Sequence, residues 1–511
     1  MAIQAGGVTL RRHSTARPLP GAGSGPNVDP TEDLTPWQPS ATDPWDAAKI
    51  QHLFRRAGFG VGLAETQTAI KVGHKVVTDV LLFSPKLTIP THGVFLLPSG
   101  EIVNLTLYQG QISAWLYLMH NSPWPLQEKM ALFFHDHFAT GIDKVRYPEM
   151  MGTQINLFRK HGLGNFRDML IEISKNPAML VWLDNTTSRV GKPNENYARE
   201  IFELFSMGVK APYTETDIQE AARALTGHRT RLDSYFWQNV WHDYLSKTVL
   251  GKTIFNRSPN GAKDLEDLVD IILGHPATAK FICAKIWEYF VYEKPSAVLV
   301  DKLASLWRSD NYDLQALMET IFRSVAFYST KAMGKAVGGL VKNPWEFTIG
   351  ALRNLGVSKI SYFRVGVRSN GMGHTLLDYS NPAGLPDGTN WINSQNLINR
   401  ANYAKEVIQR VPRGFLYDKG YTGFTGRWMP LPDLKAMTDK AGVRTPAAIV
   451  DFFLGILVSR PVPKGVRDNL IGFMTKYDNN VTRVWNYAAH APIKNYGLAH
   501  LIMALPEYQV N

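Results

Sequence analysis

Pro125-Leu-Gln-Glu-Lys-Met-Ala-Leu-Phe-Phe-His-Asp-His-Phe-Ala-Thr140 places Met130, Phe133, Phe134 and His137 at the three-and-four spacing of one helical face. Just upstream, Trp115, Leu116, Leu118 and Met119 repeat that spacing, and Asn121-Ser-Pro-Trp-Pro125 between the two runs supplies a helix stop and a proline suited to the first turn of the next helix. Working outward, Gly162-Leu-Gly164, Asn176-Pro177 and Pro193 punctuate further helical runs, as short links between antiparallel helices do. The expected fold is mainly α: a large multi-helix globular fold with a few loop-rich or short hairpin insertions. Thr88–Leu107 and Tyr362–Trp391, rich in turn-forming and polar residues, are expected to be those insertions and to form the rim of a cleft.

The chain has 511 residues, 45% hydrophobic and 19% charged, enough to bury one large core or several ordinary ones. The helical body is expected over 46–511, and a division into two lobes near 230–260 is compatible with the pattern. Residues 1–45 read as a flexible basic Pro/Gly-rich leader, with Arg11, Arg12 and Arg17 and no acidic residue before Asp29. This leader lacks the apolar segment of a secretory signal, which leaves either the cytoplasm or export through a signal outside this sequence. The apolar run Ala447–Val458 is interrupted by Asp451 and is too short to cross a bilayer, so no transmembrane segment is expected. The single cysteine, Cys283, excludes an intramolecular disulfide and a multi-cysteine zinc site, and its apolar setting suits a buried inert thiol. The formal charge of +11 favours anionic or polymeric partners, but the basic residues are diffuse and no nucleic-acid-binding motif is present, which argues against nucleic acid.

Several islands share one likeness. They are His52-Leu-Phe-Arg-Arg-Ala-Gly-Phe-Gly60, the Pro125–Thr140 stretch, Leu183-Asp-Asn185, Pro193-Asn-Glu-Asn-Tyr-Ala-Arg-Glu200, Glu203-Leu-Phe-Ser-Met-Gly208 and Glu220-Ala-Ala-Arg-Ala-Leu-Thr-Gly227. His242-Asp243, Lys247-Thr-Val-Leu-Gly251, Asn343-Pro-Trp-Glu-Phe347 and Pro506-Glu-Tyr-Gln509 continue the series. In this order they resemble the Domain of Unknown Function 1800 family of uncharacterised bacterial proteins. His228 and His374 depart from the family pattern, where Trp and Gln are expected. The resemblance implies a fold and carries no activity with it.

Four segments offer chemistry. His135-Asp136-His137 supplies two imidazoles and a carboxylate, the ligands divalent metals take when thiolates are absent. Residues two apart on a helix point about 200° from each other, so both histidines reach one metal only if the helix ends near Phe138; otherwise they are packing and hydrogen-bonding groups. Asp184–Glu195 resembles a calcium loop by its first and twelfth positions, although Arg189 stands where such a loop needs Gly; the alternative is a polar helix-capping loop. Asn196, Glu200 and Glu203 share a helical stripe, with Arg199 four residues from both Glu195 and Glu203; the alternative is an ion-pair lattice. His242-Asp243 adds a further imidazole and carboxylate.

No Gly-x-Ser-x-Gly, Gly-x-Gly-x-x-Gly or His-Glu-x-x-His appears, and Gly251-Lys252-Thr253 lacks the first glycine of a phosphate loop because Ser246 stands there. The turn-rich Asn381–Gly388 segment, with Trp391 and Asn393, suits either the lining of a carbohydrate or polymer cleft or a packed surface loop.

Two functions fit these residues. The first is a metal-dependent enzyme, a hydrolase or oxidoreductase, with a polar cleft of His135, His137, Glu195, Arg199, Glu200 and His242. Its divalent metal ion would be held by members of the set His135, His137, Glu200, Glu203, His242 and Asp243. The second is a non-catalytic binding or assembly protein that engages a polyanion or a protein and uses these residues as structural ion pairs. Convergence of His135, His137 and the Glu200 helix at an accessible cavity would mark the first; mutually paired, scattered side chains would mark the second.

Overall fold

The computed structural model describes residues 29–511 except 84, 86–87, 99, 232, 335–338, 359, 386–387, 409–431 and 477–483. Of the described residues 60% are helical, with 21 helices and only small two-stranded sheets among them. The helix starts are those the sequence marks: Asn165, Asn176, Asn194, Asn343 and Ser361 each accept from a backbone N–H of their own first turn. Pro125, Pro148, Pro177, Pro276 and Pro344 occupy first turns, where a missing N–H costs nothing.

One contiguous cluster of buried apolar side chains runs from Leu34 to Tyr508. The Pro125–His137 helix lies inside it and is buried on nearly every side, packed on the Pro148–His161 and Tyr108–Asn121 helices. Phe134, Phe138 and Phe158 stack between these helices. Burial of so apolar a helix also encloses polar groups that need partners, and Glu128 has one: Arg159 Nε donates to both its oxygens at 3.0 and 3.2 Å. Burial raises the proton affinity of Glu128 against the opposing pull of Arg159.

Among the described residues three antiparallel hairpins decorate the helices: Val94–Leu96 with Ile102–Asn104, His228–Arg231 with Ser234–Trp237, and Lys247–Val249 with Lys252–Ile254. The first is the small hairpin expected between Thr88 and Leu107. The other two occupy the region near 230–260 where the pattern allowed a division into lobes. Tyr362–Trp391 departs from the loop expectation, because it opens with the Tyr362–Asn370 helix, capped by Ser361 and packed on Tyr108–Asn121. Its later part is the expected loop.

Residues 29–45, which composition placed in the flexible leader, pack as a strap. Thr35 O and Asp33 O accept from Val325 and Ala326, Trp37 N donates to Arg323 O, and the Tyr292 hydroxyl donates to Thr31 O. Trp37 meets the His74 ring edge-on at 5.2 Å and the Tyr328 ring at a tilt at 4.8 Å, and Leu34 and Trp37 are buried. Proline-rich composition hid these apolar anchors, whose burial offsets the entropy of ordering the strap. The rest of the leader, 1–28, lies outside the described residues.

No helix among the described residues is long and apolar enough to cross a membrane. Cys283 is buried, and burial pushes its thiol well up, as expected of an inert side chain.

Candidate functional site

Two helices present matching faces to one cavity. The last turn of Pro125–His137 offers Phe133, Asp136 and His137, and Pro276–Phe290 offers Lys285, Glu288 and Tyr289. Both triplets have the i, i+3, i+4 spacing that puts side chains on one stripe. Between them, the Glu293-Lys294 turn, Asn343, Glu346 and the Gly388-Thr389 backbone close a space of about 320 Å³. That volume suits a small molecule.

Asp136 is the central group. Its Oδ1 accepts from Leu385 N at 3.0 Å, and the Tyr379 hydroxyl bonds to the same carboxyl. Burial raises its proton affinity, against the opposing effects of the Leu385 N–H, Lys285 and Tyr379. Behind it, His374 Nε2 lies 3.1 Å from the Tyr379 hydroxyl. With the tyrosine proton directed to Asp136, His374 must donate through Nε2, and its Nδ1 makes no hydrogen bond within the protein. Burial pulls His374 down to about 3, so it is neutral. Its ring stacks on Trp391 at 5.5 Å. His374-Tyr379-Asp136 is thus an oriented chain ending at the cavity.

The loop that covers Asp136 depends on glycine. Gly384 has φ +79°, and a Cβ there would lie 2.7 Å from the Asp136 carbonyl and 2.9 Å from both carboxyl oxygens. Gly388, at φ +68°, approaches Glu293 Oε1 as closely, at 2.7 Å from a Cβ. These are backbone conformations that only glycine adopts readily.

Glu346, on the far wall, is ion-paired to the buried Lys129, whose ammonium sits over the rings of Phe59 and Tyr289 at 5.1 and 5.3 Å. Glu346 Oε2 also accepts from Asn343 N, closing a capping box at the start of the Pro344–Asn354 helix.

The residues singled out from the sequence divide among separate environments. His137 lines the cavity. Its Nε2 donates to Phe205 O at 3.0 Å, its Nδ1 makes no hydrogen bond within the protein, and burial, then Lys285, holds it neutral. His135 points the other way, as two-residue spacing on a continuing helix requires. Its Nε2 accepts from Leu377 N at 3.0 Å, and its ring meets Trp115 and Tyr379 edge-on. The helix does end at His137, but too late to swing His135 round.

Glu195, Arg199 and Glu203 form a partly exposed ion-pair lattice. Arg199 lies 3.5 Å from Glu195 and 3.6 Å from Glu203, and it also bonds Glu215 at 3.1 Å. Glu200 is half-buried on the same helix, its proton affinity raised by burial and then by Glu203. His242 is locked elsewhere: Nδ1 lies 2.8 Å from Thr226 O and Nε2 3.2 Å from Asp264, which also takes Lys247 at 2.5 Å. Asp243 is held by Arg223 at 2.8 and 3.2 Å. The Asp184–Glu195 loop caps a helix, with Asn194 N on Ser188 Oγ and Asp184 on Lys144. Among the described residues, no group of three or more His, Cys, Asp or Glu is arranged to hold a metal ion.

Sequence reasoning passed over Asp136, treated there only as the middle of a histidine pair, and it missed Lys285, Tyr379 and Glu346. The signal for the first two was the repeated i, i+3, i+4 polar face. Gly388 and Thr389 do line the cavity, within or beside the turn-rich loop noted from composition.

A family model described as a protein of unknown function (DUF1800) matches residues 52–510, nearly the whole chain. No curated protein and no solved structure matches the chain.

Proposed function

The chain belongs to the DUF1800 family of proteins of unknown function, and from that premise we propose that it is an enzyme that moves a proton to and from a small polar substrate, with Asp136 as the acid. One observation carries this reading: a carboxyl on the wall of a small-molecule cavity with its proton affinity raised by burial and its orientation fixed by Leu385 N and the Tyr379-His374 chain. Burial shifts Asp136 in the direction a general acid needs, towards holding its proton, and a nearby cation favours the carboxylate formed when the proton leaves. Lys285 would stabilise the carboxylate left behind, and the neutral His137 would remain an acceptor through Nδ1.

The metal-dependent version of the reading draws on His135, His137, Glu200, Glu203, His242 and Asp243. Their geometry lends it no support, since His135, His137, Glu203, His242 and Asp243 are held by separate partners and Glu200 stands apart from the histidines. Elemental analysis of chelator-free protein tests it directly: near-stoichiometric metal, lost in folded His135→Ala or Glu200→Ala, would restore it.

The acid reading is tested by ligand-observed NMR with a panel of small polar metabolites on wild type and Asp136→Asn. We expect ligands that wild type converts and the variant binds without conversion. Equal conversion by both proteins would overturn it. Ligand binding with no conversion by either would favour the second reading, a binding protein, which the closed Arg199 and His242-Asp264 networks also suit.

A further inference from the structure

On a surface separate from the Asp136 cavity, we infer that Arg189 and Arg229 form a binding site for a phosphate group. Both guanidiniums sit at one indole: Arg229 lies 3.7 Å and Arg189 5.4 Å from the centre of the Trp241 ring. A guanidinium seated on an aromatic ring keeps its N–H groups free at its edges, as the planar fork that pairs with phosphate oxygens. Two like charges at one ring repel each other, and among the described residues neither has a carboxylate within ion-pair distance or a side-chain hydrogen bond. The Arg229 Nε is buried without an acceptor. Carboxylates on the neighbouring segments are engaged elsewhere: Asp184 bonds Lys144 at 2.9 Å, Asp233 lies 3.2 Å from His92, and Glu195 pairs with Arg199 at 3.5 Å.

The charges next to the pair are positive instead. Lys192 faces Arg189 across the turn that the two residues bracket, and Arg231, two residues beyond Arg229 on its strand, falls on the same side of the hairpin; both are exposed. Arg189 is also the residue that spoils the likeness of Asp184–Glu195 to a calcium loop, and a cation there suits an anion site. The frame is set before any ligand arrives: Gly191, at φ +76°, makes the Arg189–Lys192 turn, Val190 N donates to Trp241 O at 2.7 Å, and Thr230 N donates to Thr186 Oγ1 at 3.3 Å. Val190 and Val240, 49% and 75% exposed, stand beside Arg189 and Trp241 in the chain. A phosphate carried by a lipid headgroup would bring them to the acyl boundary, and a free phosphate would leave them in water.

Two assays on the full chain at fixed ionic strength test this: phosphorus NMR of inorganic phosphate, and co-sedimentation with vesicles of equimolar phosphatidylcholine and phosphatidylglycerol. We expect saturable binding in at least one of them. Arg189→Gln should weaken it about 10-fold, and Arg189→Gln combined with Arg229→Gln about 100-fold, the effect of losing one and then two charge-assisted donors. Arg189→Lys keeps the charge without the fork and should weaken it about 3-fold. Arg189 is exposed, so its two single variants leave the interior untouched and read the site even where loss of Arg229 disturbs the hairpin. Val240→Ser separates the sources: vesicle binding weakened about 5-fold by it marks a lipid headgroup, and phosphate binding without vesicle binding marks a free phosphate. No binding in either assay overturns the inference, as does binding that Arg189→Gln and the double variant leave unchanged. An equal loss in a control carrying Lys302→Gln and Lys440→Gln, two exposed lysines on other helices, overturns it too, because the attraction would then be that of the net charge.

Discussion

Removing Glu346 should cost far more than removing the lysine it pairs with. Glu346→Gln keeps an oxygen for the Asn343 cap but deletes the carboxylate facing Lys129, Arg56, Lys342 and Arg400. Lys129 is 1% exposed, so deleting the carboxylate it pairs with breaks a buried ion pair, which costs about 3–5 kcal/mol. Lys129→Met leaves Glu346 with other cations in range and fills the space between Phe59 and Tyr289 with an apolar chain, so it should cost about 1–2 kcal/mol, close to one lost hydrogen bond. The double variant also removes the buried ammonium that lost its carboxylate and should be more stable than Glu346→Gln alone, although it carries more substitutions. Urea unfolding followed by tryptophan fluorescence, with midpoints compared at equal slope, reads all three. A Lys129→Met variant as damaged as Glu346→Gln, or a double variant less stable than both singles, would refute the account of a carboxylate within range of several buried basic groups.

Further outcomes follow from the same physics. Burial holds His120, His228 and His374 at about 3, so the folded chain stays neutral at these sites while the unfolded chain gains protons below 6.5; stability should fall as pH drops below about 6.5, by up to roughly 1.4 kcal/mol per pH unit per histidine, with a shallower loss in His120→Gln. Asp136 is raised instead, so its penalty is absent in acid and grows as pH climbs from about 4 through its folded value; Asp136→Asn should match wild type in thermal midpoint near pH 4 and exceed it at pH 8. Gly384→Ala should destabilise by about 1–3 kcal/mol through its positive φ and its clash with Asp136, and it should speed hydrogen exchange at the Leu385 amide; an unchanged amide would show that the loop does not rest on Asp136.

What was legible in the sequence was local. Helix spacing around Met130 and Phe133, prolines in first turns and side-chain caps such as Asn176 and Asn343 are decided within a few residues, and they gave the mainly helical fold. The two-residue spacing of His135 and His137 also carried its own warning, which the structure bears out by turning them to opposite sides of the helix. The cavity was not legible in the same way, because Asp136, Lys285, Glu346 and Tyr379 come together only through packing of elements far apart in the chain. Glu200 and Arg199 were conspicuous for a different reason: helical i, i+4 carboxylate-guanidinium spacing is equally the signature of a surface lattice, which is the environment in which Arg199 lies. Trp37 was hidden by its neighbours, since a proline-rich composition says nothing of a single ring with a prepared slot.

That slot bears on where the chain can be cut. The family match begins at residue 52, beyond the strap of residues 29–45, so a protein trimmed to the matched boundary would lose the roof over His74 and Tyr328 together with the hydrogen bonds to Val325 and Ala326. Water would enter a trench lined with aromatic rings, and the trimmed protein would present a sticky seam of its own interior to every neighbour in solution.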